Sequence, residues 1–307
     1  MFSNNSNTAK PFLKWAGGKT QLLQQFTEYF PPELKNGKLK NYYEPFLGSG
    51  AVFFYIAQNY SIEKAYLSDI NEDLVLTFSV VQRNVIELID ELSSLKSKYL
   101  KKNEIEREEY FYRIRNKFNS EKEKINFTKY NPEWIRRAAK LIFLNKTCFN
   151  GLFRLNKKGQ FNVPFGRYKN PSILDKDNLV NANKALQIAE IFVTDFENIK
   201  SKLTSNFFIY FDPPYRPISK TSSFTSYSEY DFTDEDQKRL ANFYSSVGIN
   251  GNKLMLSNSD PKNENTDDHF FEMLYNEFKI IRVQANRMIN CNGNNRGKIN
   301  ELLILNY

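Results

Sequence analysis

Cysteine and histidine are nearly absent from this chain. Its 307 residues contain two cysteines, Cys148 and Cys291, and a single histidine, His269. Two thiols so far apart support neither a disulfide framework nor a metal-ligand spacing. One histidine excludes a His-rich metal site and argues against His-based acid–base catalysis. It lies in Asp267-Asp268-His269-Phe270-Phe271, a setting that suits a surface helix. No metal is expected. No apolar run reaches the roughly 18 residues that a membrane-crossing helix requires. The opening MFSNNSNTAK has no apolar h-region and reads as a floppy polar leader without a signal peptide. These absences imply a soluble, cytoplasmic, metal-free protein.

Positive charge is in excess, with 43 Lys and Arg against 35 Asp and Glu, a formal +8. Such a balance favours a polyanionic partner but says nothing about fold. A coding bias toward Lys and Asn produces the same excess, so where the charges cluster matters more than their total.

The chain is organised around Asp212-Pro213-Pro214-Tyr215, which follows the unbroken run Phe207-Phe208-Ile209-Tyr210-Phe211. An apolar run of this length bounded by proline reads as a buried strand of a parallel sheet. Asp212 then falls at the strand's carboxyl end, where open α/β sheets place their ligand crevice. The prolines fix φ and donate no N–H, so the Pro213 carbonyl is held in one direction. With the flat ring of Tyr215, these groups suit a planar base bearing an exocyclic amino group.

Two glycine turns precede this motif. Trp15-Ala16-Gly17-Gly18-Lys19-Thr20 resembles a P-loop, but Leu13 stands where that motif needs its first glycine. What survives is a glycine turn that exposes backbone N–H groups to an anion, with a cation at Lys19 and a stacking face at Trp15; an ordinary capped loop remains the alternative. Next, Tyr42–Phe46 reads as a short strand, Leu47-Gly48-Ser49-Gly50 as a tight turn and Val52 onward as a helix. Gly48 and Gly50 permit close backbone approach. Phe53 replaces the third glycine of the dinucleotide fingerprint, which disfavours a pyrophosphate cofactor. The following strand, 65–68, ends at Asp69, about 20 residues beyond the glycines, the usual place for a ribose partner. A glycine turn with that acid but no third glycine points to a nucleoside lacking a diphosphate, and S-adenosylmethionine is the natural candidate.

Residues 74–100 show helix-period apolar positions, 101–130 are densely charged and 132–145 read as a further helix; the charge run 96–124 is best taken as a solvated helix face. The stretch Phe149–Pro171, FNGLFRLNKKGQFNVPFGRYKNP, has five basic residues, no acid, four Phe and one Tyr. Lys157-Lys158-Gly159 reads as a hairpin tip between two short extended arms. Such a ribbon suits DNA, its lysines meeting phosphates and an arginine meeting guanine in the major groove; a merely basic surface hairpin is the alternative. The α/β rhythm then resumes: a helix at 176–186, a strand at 189–193 leading to Asp195-Phe196, the 207–211 strand, a long loop 216–232, a helix from Asp234 to Val247, a strand at 253–257, a helix near 266–276, and strands at 279–285 and 299–306. The last two are joined by the acid-free connection 287–298. This pattern predicts an α/β, doubly wound, mostly parallel sheet, with the terminal pair of strands antiparallel.

Taken together, FLKWAGGK (12–19), EPFLGSG (44–50), SDIN (68–71), the 150–171 hairpin, DPPY (212–215), LSNS (256–259) and RGKINELL (296–303) make the chain resemble the Dam-like, class alpha, DNA adenine-N6 methyltransferases. The segments occur in the family's order and span nearly the whole chain. The resemblance implies a methyltransferase unit of residues 1–73 and 173–307 that binds S-adenosylmethionine, and an inserted helical target-recognition domain, 74–172, carrying the hairpin. It implies a cofactor site at Trp15, Lys19, Asp69 and Asp212, a pocket that Phe46, Gly48, Gly50, Ile70, Asp195 and Phe196 would complete. The DNA-reading positions fall on Lys14, Asn150, Leu152, Arg154 and Pro164, with Arg167 and Tyr168 beside them. The implied reaction is methylation of adenine N6 in double-stranded DNA, within GATC, by a base-flipping monomer that could act alongside a separate restriction endonuclease. Asp212, Pro213, Pro214 and Tyr215 would be the catalytic residues. An RNA or protein amino-group methyltransferase, and an inactive DNA-binding paralogue, are the alternatives.

Overall fold

The computed structural model describes residues 8–15, 17–216, 232–286 and 298–307. Most of the leader, Ala16, nearly all of the 216–232 loop, the 287–297 connection and Cys291 lie outside the described residues.

A seven-stranded sheet forms the frame. Its strands are β1 (Asn41–Glu44), β2 (Lys64–Asp69), β3 (Ala189–Val193), β4 (Phe207–Phe211), β5 (Lys253–Ser259), β6 (Lys279–Asn286) and β7 (Lys298–Leu305). They lie side by side in the order β3-β2-β1-β4-β5-β7-β6. The first five are mutually parallel; β7 runs antiparallel to both β5 and β6. This is the mostly parallel α/β sheet that the strand and helix alternation predicts, with its antiparallel element at the carboxyl-terminal end.

Central position explains the composition of β4. All five of its residues are buried, and each large side chain removed from water contributes roughly 1.5–3 kcal/mol. Alternate residues feed two cores. Tyr42, Phe208 and Tyr210 enter one; Tyr43, Ile209 and Phe211 enter the other, beneath the helix Asp234–Gly248. That alternation is the period of two expected when both sheet faces are covered.

The chain winds outward from β1 through β2 to β3, then returns to place β4 on the other side of β1. The crevice at this reversal lies between the carboxyl ends of β1 and β4, where α/β sheets bind ligands. The turn after β1 and Asp212 after β4 both open there.

The helical segment is fused to this frame through a continuous apolar core. Sheet residues such as Leu67 and Tyr210 share one cluster with Phe111, Phe143 and Phe161 of the insertion. Two helices, Glu72–Arg83 and Val85–Leu100, occupy the stretch that reads as helix-periodic. They part at Asn84, whose φ/ψ of −136°/48° is not helical and whose side chain bonds Glu87 and Tyr130 instead. The buried Arg137 of helix Glu133–Thr147 grips Asp73 through two nitrogens and donates to the Phe118 carbonyl at 3.0 Å. Removing one partner of such a pair costs about 3–5 kcal/mol, since the other charge is left buried.

The helix expected near 266–276 is confined to Phe270–Leu274. A short 3₁₀ turn, Pro261–Asn263, precedes it. Asp268 is committed to the Phe270 N–H and to Arg216, and Asn265 to Asp267 N, so turn chemistry displaces the first helical residues.

Candidate active site

The fully buried strand β4 delivers Asp212 to the crevice with one carboxylate oxygen already engaged. Its Oδ1 is 2.7 Å from Lys19 Nζ and accepts from Ser257 Oγ at 3.0 Å. Ser257 in turn lies 2.8 Å from the buried Tyr210 hydroxyl. Oδ2 accepts no hydrogen bond among the described residues, and neither does the Pro213 carbonyl. Burial raises the Asp212 carboxyl pKa, while Lys19 and Ser257 oppose that shift. Burial is the larger effect, and Lys19 offsets part of it by favouring the ionised, acceptor-only form.

Lys19 itself is only 3% exposed. It opens a 3₁₀ turn, Lys19–Gln21, and its ammonium folds back to the Gly17 carbonyl at 2.6 Å and lies 4.5 Å from the centre of the Tyr215 ring. Gly17 has φ of 75°, a left-handed conformation that glycine adopts without penalty. The segment after Asp212 is tied down in turn. Pro214 O accepts from Gln237 Nε2 at 3.1 Å, and the Tyr215 hydroxyl donates to Glu301 Oε2 at 2.7 Å. Arg216 is clamped between Asp234 and Asp268, with its guanidinium stacked on Phe270.

On the β1–β2 side, Asp69 receives the Gly48 N–H on Oδ2 at 3.1 Å and the Asn71 N–H on Oδ1 at 2.9 Å. Burial pushes its carboxyl up to about 6, against the pull of these backbone donors. Gly48 is favoured by its left-handed φ of 47°, and a Cβ there would press within 3.2 Å of the Trp15 indole. The rings of Phe46 and Phe196 lie 5.5 Å apart, and Phe232 packs on both. Asp195 caps the turn Phe196–Lys202 and pairs with Arg239 at 2.8 Å. Ile70 is 53% exposed beside Asp69.

The basic ribbon joins this site through Trp15. The Trp15 indole stacks on Phe153 with ring centres 4.9 Å apart and planes within 19°. Residues 149–168 are held by few ladder contacts, with bridges only between Cys148 and Phe165 and between Leu155 and Phe161. They nevertheless alternate. Phe153, Leu155, Phe161, Val163 and Phe165 are buried, while Leu152, Arg154, Asn162 and Pro164 are on the more exposed face. Arg154 Nε donates to Asn162 Oδ1 at 2.8 Å, leaving its two terminal nitrogens without an acceptor among the described residues. Lys14 and Asn145 bond each other's segments twice at 2.8 Å, and Asn145 also reaches the Gly151 carbonyl at 3.0 Å. The Lys14 ammonium lies 5.5 Å from the Tyr168 ring. Asn150 is exposed, with a left-handed φ of 57°. Arg167 is bound by Glu104 and Glu108 of helix Glu104–Ser120.

The structure thus gathers Lys19, Asp212 and Tyr215 into direct contact, sets Gly48 against Asp69, and places Leu152, Arg154 and Pro164 on one face of the ribbon. Residue-type reasoning missed Ser257, Tyr210, Gln237, Phe153 and Glu301. The alternating Phe and Val residues of 153–165 carried a legible signal for Phe153. Glu301 lies within the RGKINELL segment, but nothing in its residue type points to Tyr215, because that contact depends on an antiparallel pairing.

Comparison with known proteins bears on this arrangement. The sequence model described as D12 class N6 adenine-specific DNA methyltransferase matches residues 15–289. The chain is 53% identical to the type II methyltransferase M.MjaIII of Methanocaldococcus jannaschii over 97% of its own length and 99% of that protein's. It is 35% identical to the type II methyltransferase M1.LlaDCHI of Lactococcus lactis subsp. cremoris over 100% and 99% of the two chains. It is 33% identical to the DNA adenine methylase of Haemophilus influenzae over 96% and 93%. The chain belongs to the D12 class of N6 adenine-specific DNA methyltransferases.

Proposed function

We propose that this D12-class enzyme methylates adenine N6 within GATC in double-stranded DNA, after rotating the adenine out of the helix into the crevice beside Asp212. The class implies S-adenosylmethionine as methyl donor, and the residues here fit it. Gly48 turns left-handed beneath the Trp15 indole, Asp69 offers a carboxylate suited to ribose hydroxyls, Phe46 and Phe196 offer apolar ring surface, and Lys19 offers a cation suited to a carboxylate. Gly50, Ile70, Asp195 and Trp15 complete the pocket in this reading. When bound, that donor supplies a methyl group on a sulfonium that departs as a neutral thioether.

The single observation that carries the proposal is the split use of the Asp212 carboxylate. Oδ1 is held by Lys19 and Ser257, while Oδ2 and the Pro213 carbonyl accept no hydrogen bond among the described residues. An adenine amino group has two protons to give and a lone pair delocalised into the ring. Accepting both protons favours a pyramidal nitrogen and stabilises the positive charge that builds up as the methyl arrives; this is electrostatic and positional catalysis. An adenine inside a duplex cannot reach these groups, so it must be extruded. Tyr215 offers the ring for it to stack upon, a contact worth roughly 1–3 kcal/mol.

Residues 74–172 serve in this reading as the target reader. Arg154 and Pro164 face outward from the ribbon, with Leu152 half-buried on the same face; Asn150 and Lys14 stand at its base, with Tyr168 against Lys14 and Arg167 nearby. The enzyme acts as a monomer. Two of the relatives carry the type II name, which supports a role beside a separate restriction endonuclease. The test of specificity is a plasmid grown in cells expressing this protein. It should resist a nuclease that is blocked by adenine methylation in GATC. Full cleavage, with labelled methyl still entering the DNA, overturns GATC as the site and leaves the chemistry standing.

A further inference from the structure

Two prolines fix the backbone that leads into Tyr215, but the direction of its ring is set by its own side-chain torsions. Two side chains hold that ring. The hydroxyl donates to Glu301 Oε2 at 2.7 Å, and Lys19 Nζ lies 4.5 Å from the ring centre. Glu301 reaches the crevice because β7 is antiparallel. It pairs with Ser259, at the carboxyl end of β5, and with Val283 on β6. In a parallel strand, a residue this close to the strand's start would sit at the opposite edge of the sheet.

We propose that Glu301 is a positioning residue for base capture. Its carboxylate holds the Tyr215 phenol so that, with Lys19 against the ring, a face of the ring stays presented to the extruded adenine. The inference rests on the stacking role given to Tyr215 above. Glu301 acts through that ring, and the cost of losing it is a ring free to turn, which spoils the stack without removing it. Lys19 closes the arrangement from the other end, since it pairs with Asp212 and covers the same ring. The acceptor for the amino group and the platform for the base are thereby fixed relative to each other.

The experiment uses a duplex carrying 2-aminopurine at the target adenine for fluorescence, and an unmodified duplex for methyl transfer. Glu301→Leu is expected to lower kcat/KM about tenfold, within the range of one lost stacking contact. It is also expected to raise 2-aminopurine emission above that of the wild-type complex, because the base is extruded but less quenched by the ring. Glu301→Gln keeps an acceptor and should stay within about twofold of wild type. Tyr215→Phe should match Glu301→Leu, and the double variant should be no worse than either single one, as expected of two groups acting through one contact. Affinity for S-adenosylmethionine should not change. If Glu301→Leu does not fold, Tyr215→Phe against Glu301→Gln carries the same comparison. The proposal is overturned if Tyr215→Phe behaves as wild type in both readouts, or if the losses of the two single variants multiply. A wild-type enzyme that neither methylates any duplex nor changes 2-aminopurine emission would instead overturn the stacking role itself.

Discussion

The strand-end rim and the basic ribbon are built by opposite means. At the rim, each functional group is fixed by a buried strand and by a second polar partner: Asp212 by Lys19 and Ser257, Asp69 by two backbone N–H groups, Tyr215 by Glu301. The ribbon has two isolated bridges rather than a regular ladder, left-handed residues at Asn150 and Arg167, and an outward face on which Arg154 and Asn162 bond through side chain and backbone. Chemistry that must place atoms to a fraction of an ångström sits on rigid elements. In the proposed function, sequence reading falls to a segment whose outward side chains can be exchanged without disturbing the sheet. In the proposed enzyme, rim changes should therefore abolish transfer to any DNA, and ribbon changes should redistribute it among sequences.

Three measurements press on that division. The largest effect is expected for Asp212→Ala. Removing the acceptor should lower methyl transfer by about 10²–10³-fold or more, with duplex binding within roughly threefold, as read by labelled-methyl incorporation and by DNA titration. Near-normal turnover would remove Asp212 from its role. Arg154→Ala comes next. It should cost about 1–3 kcal/mol of discrimination at one base pair while sparing the maximal rate, as read by competition between cognate and single-substituted duplexes. A uniform loss on every sequence would place Arg154 among phosphate contacts and blur the comparison.

The smallest effect concerns Asp69. Its carboxyl is raised to about 6 by burial, so the protonated form is favoured in the folded protein. The stability this contributes is full below the ordinary value of 3.8 and is lost as pH rises through about 6. The ionised form, which in the proposed function accepts from ribose hydroxyls, prevails above that point. Affinity for S-adenosylmethionine should therefore weaken as pH falls through about 6, by roughly tenfold at one unit below it. Tryptophan fluorescence titrations between pH 5 and 7 would follow this, and Asp69→Asn should flatten the profile. An unchanged slope in that variant would move the titration to another carboxyl.

Much of the frame was legible before any coordinates. The aromatic run 207–211 reads as a strand covered on both faces, and it is one. The helix Lys176–Leu186 and the strand Ala189–Val193 stand where composition and period put them. Local competition defeated the reading elsewhere. Asn84 broke one periodic stretch into two helices, and Asp268 kept the segment before Phe270 out of helical geometry. In both places a short polar side chain bonded its surroundings more favourably than the helix could, which apolar periodicity does not register.

What the sequence by itself determined is the set of groups whose roles follow from chain neighbours: a carboxylate at a strand end, prolines that fix the backbone after it, glycines where the chain must turn left-handed, and a ribbon of basic and aromatic residues. The tertiary structure alone decided which of these groups meet. Lys19 and Asp212, 193 positions apart in the chain, are joined by a 2.7 Å ion pair. Trp15 stacks on Phe153, and Glu301 reaches Tyr215 only because β7 runs against β5. The alternation of elements anticipated the strand directions, but strand order and register, which decide the contacts, are set by the packing of the whole sheet and not by any local pattern of residue types.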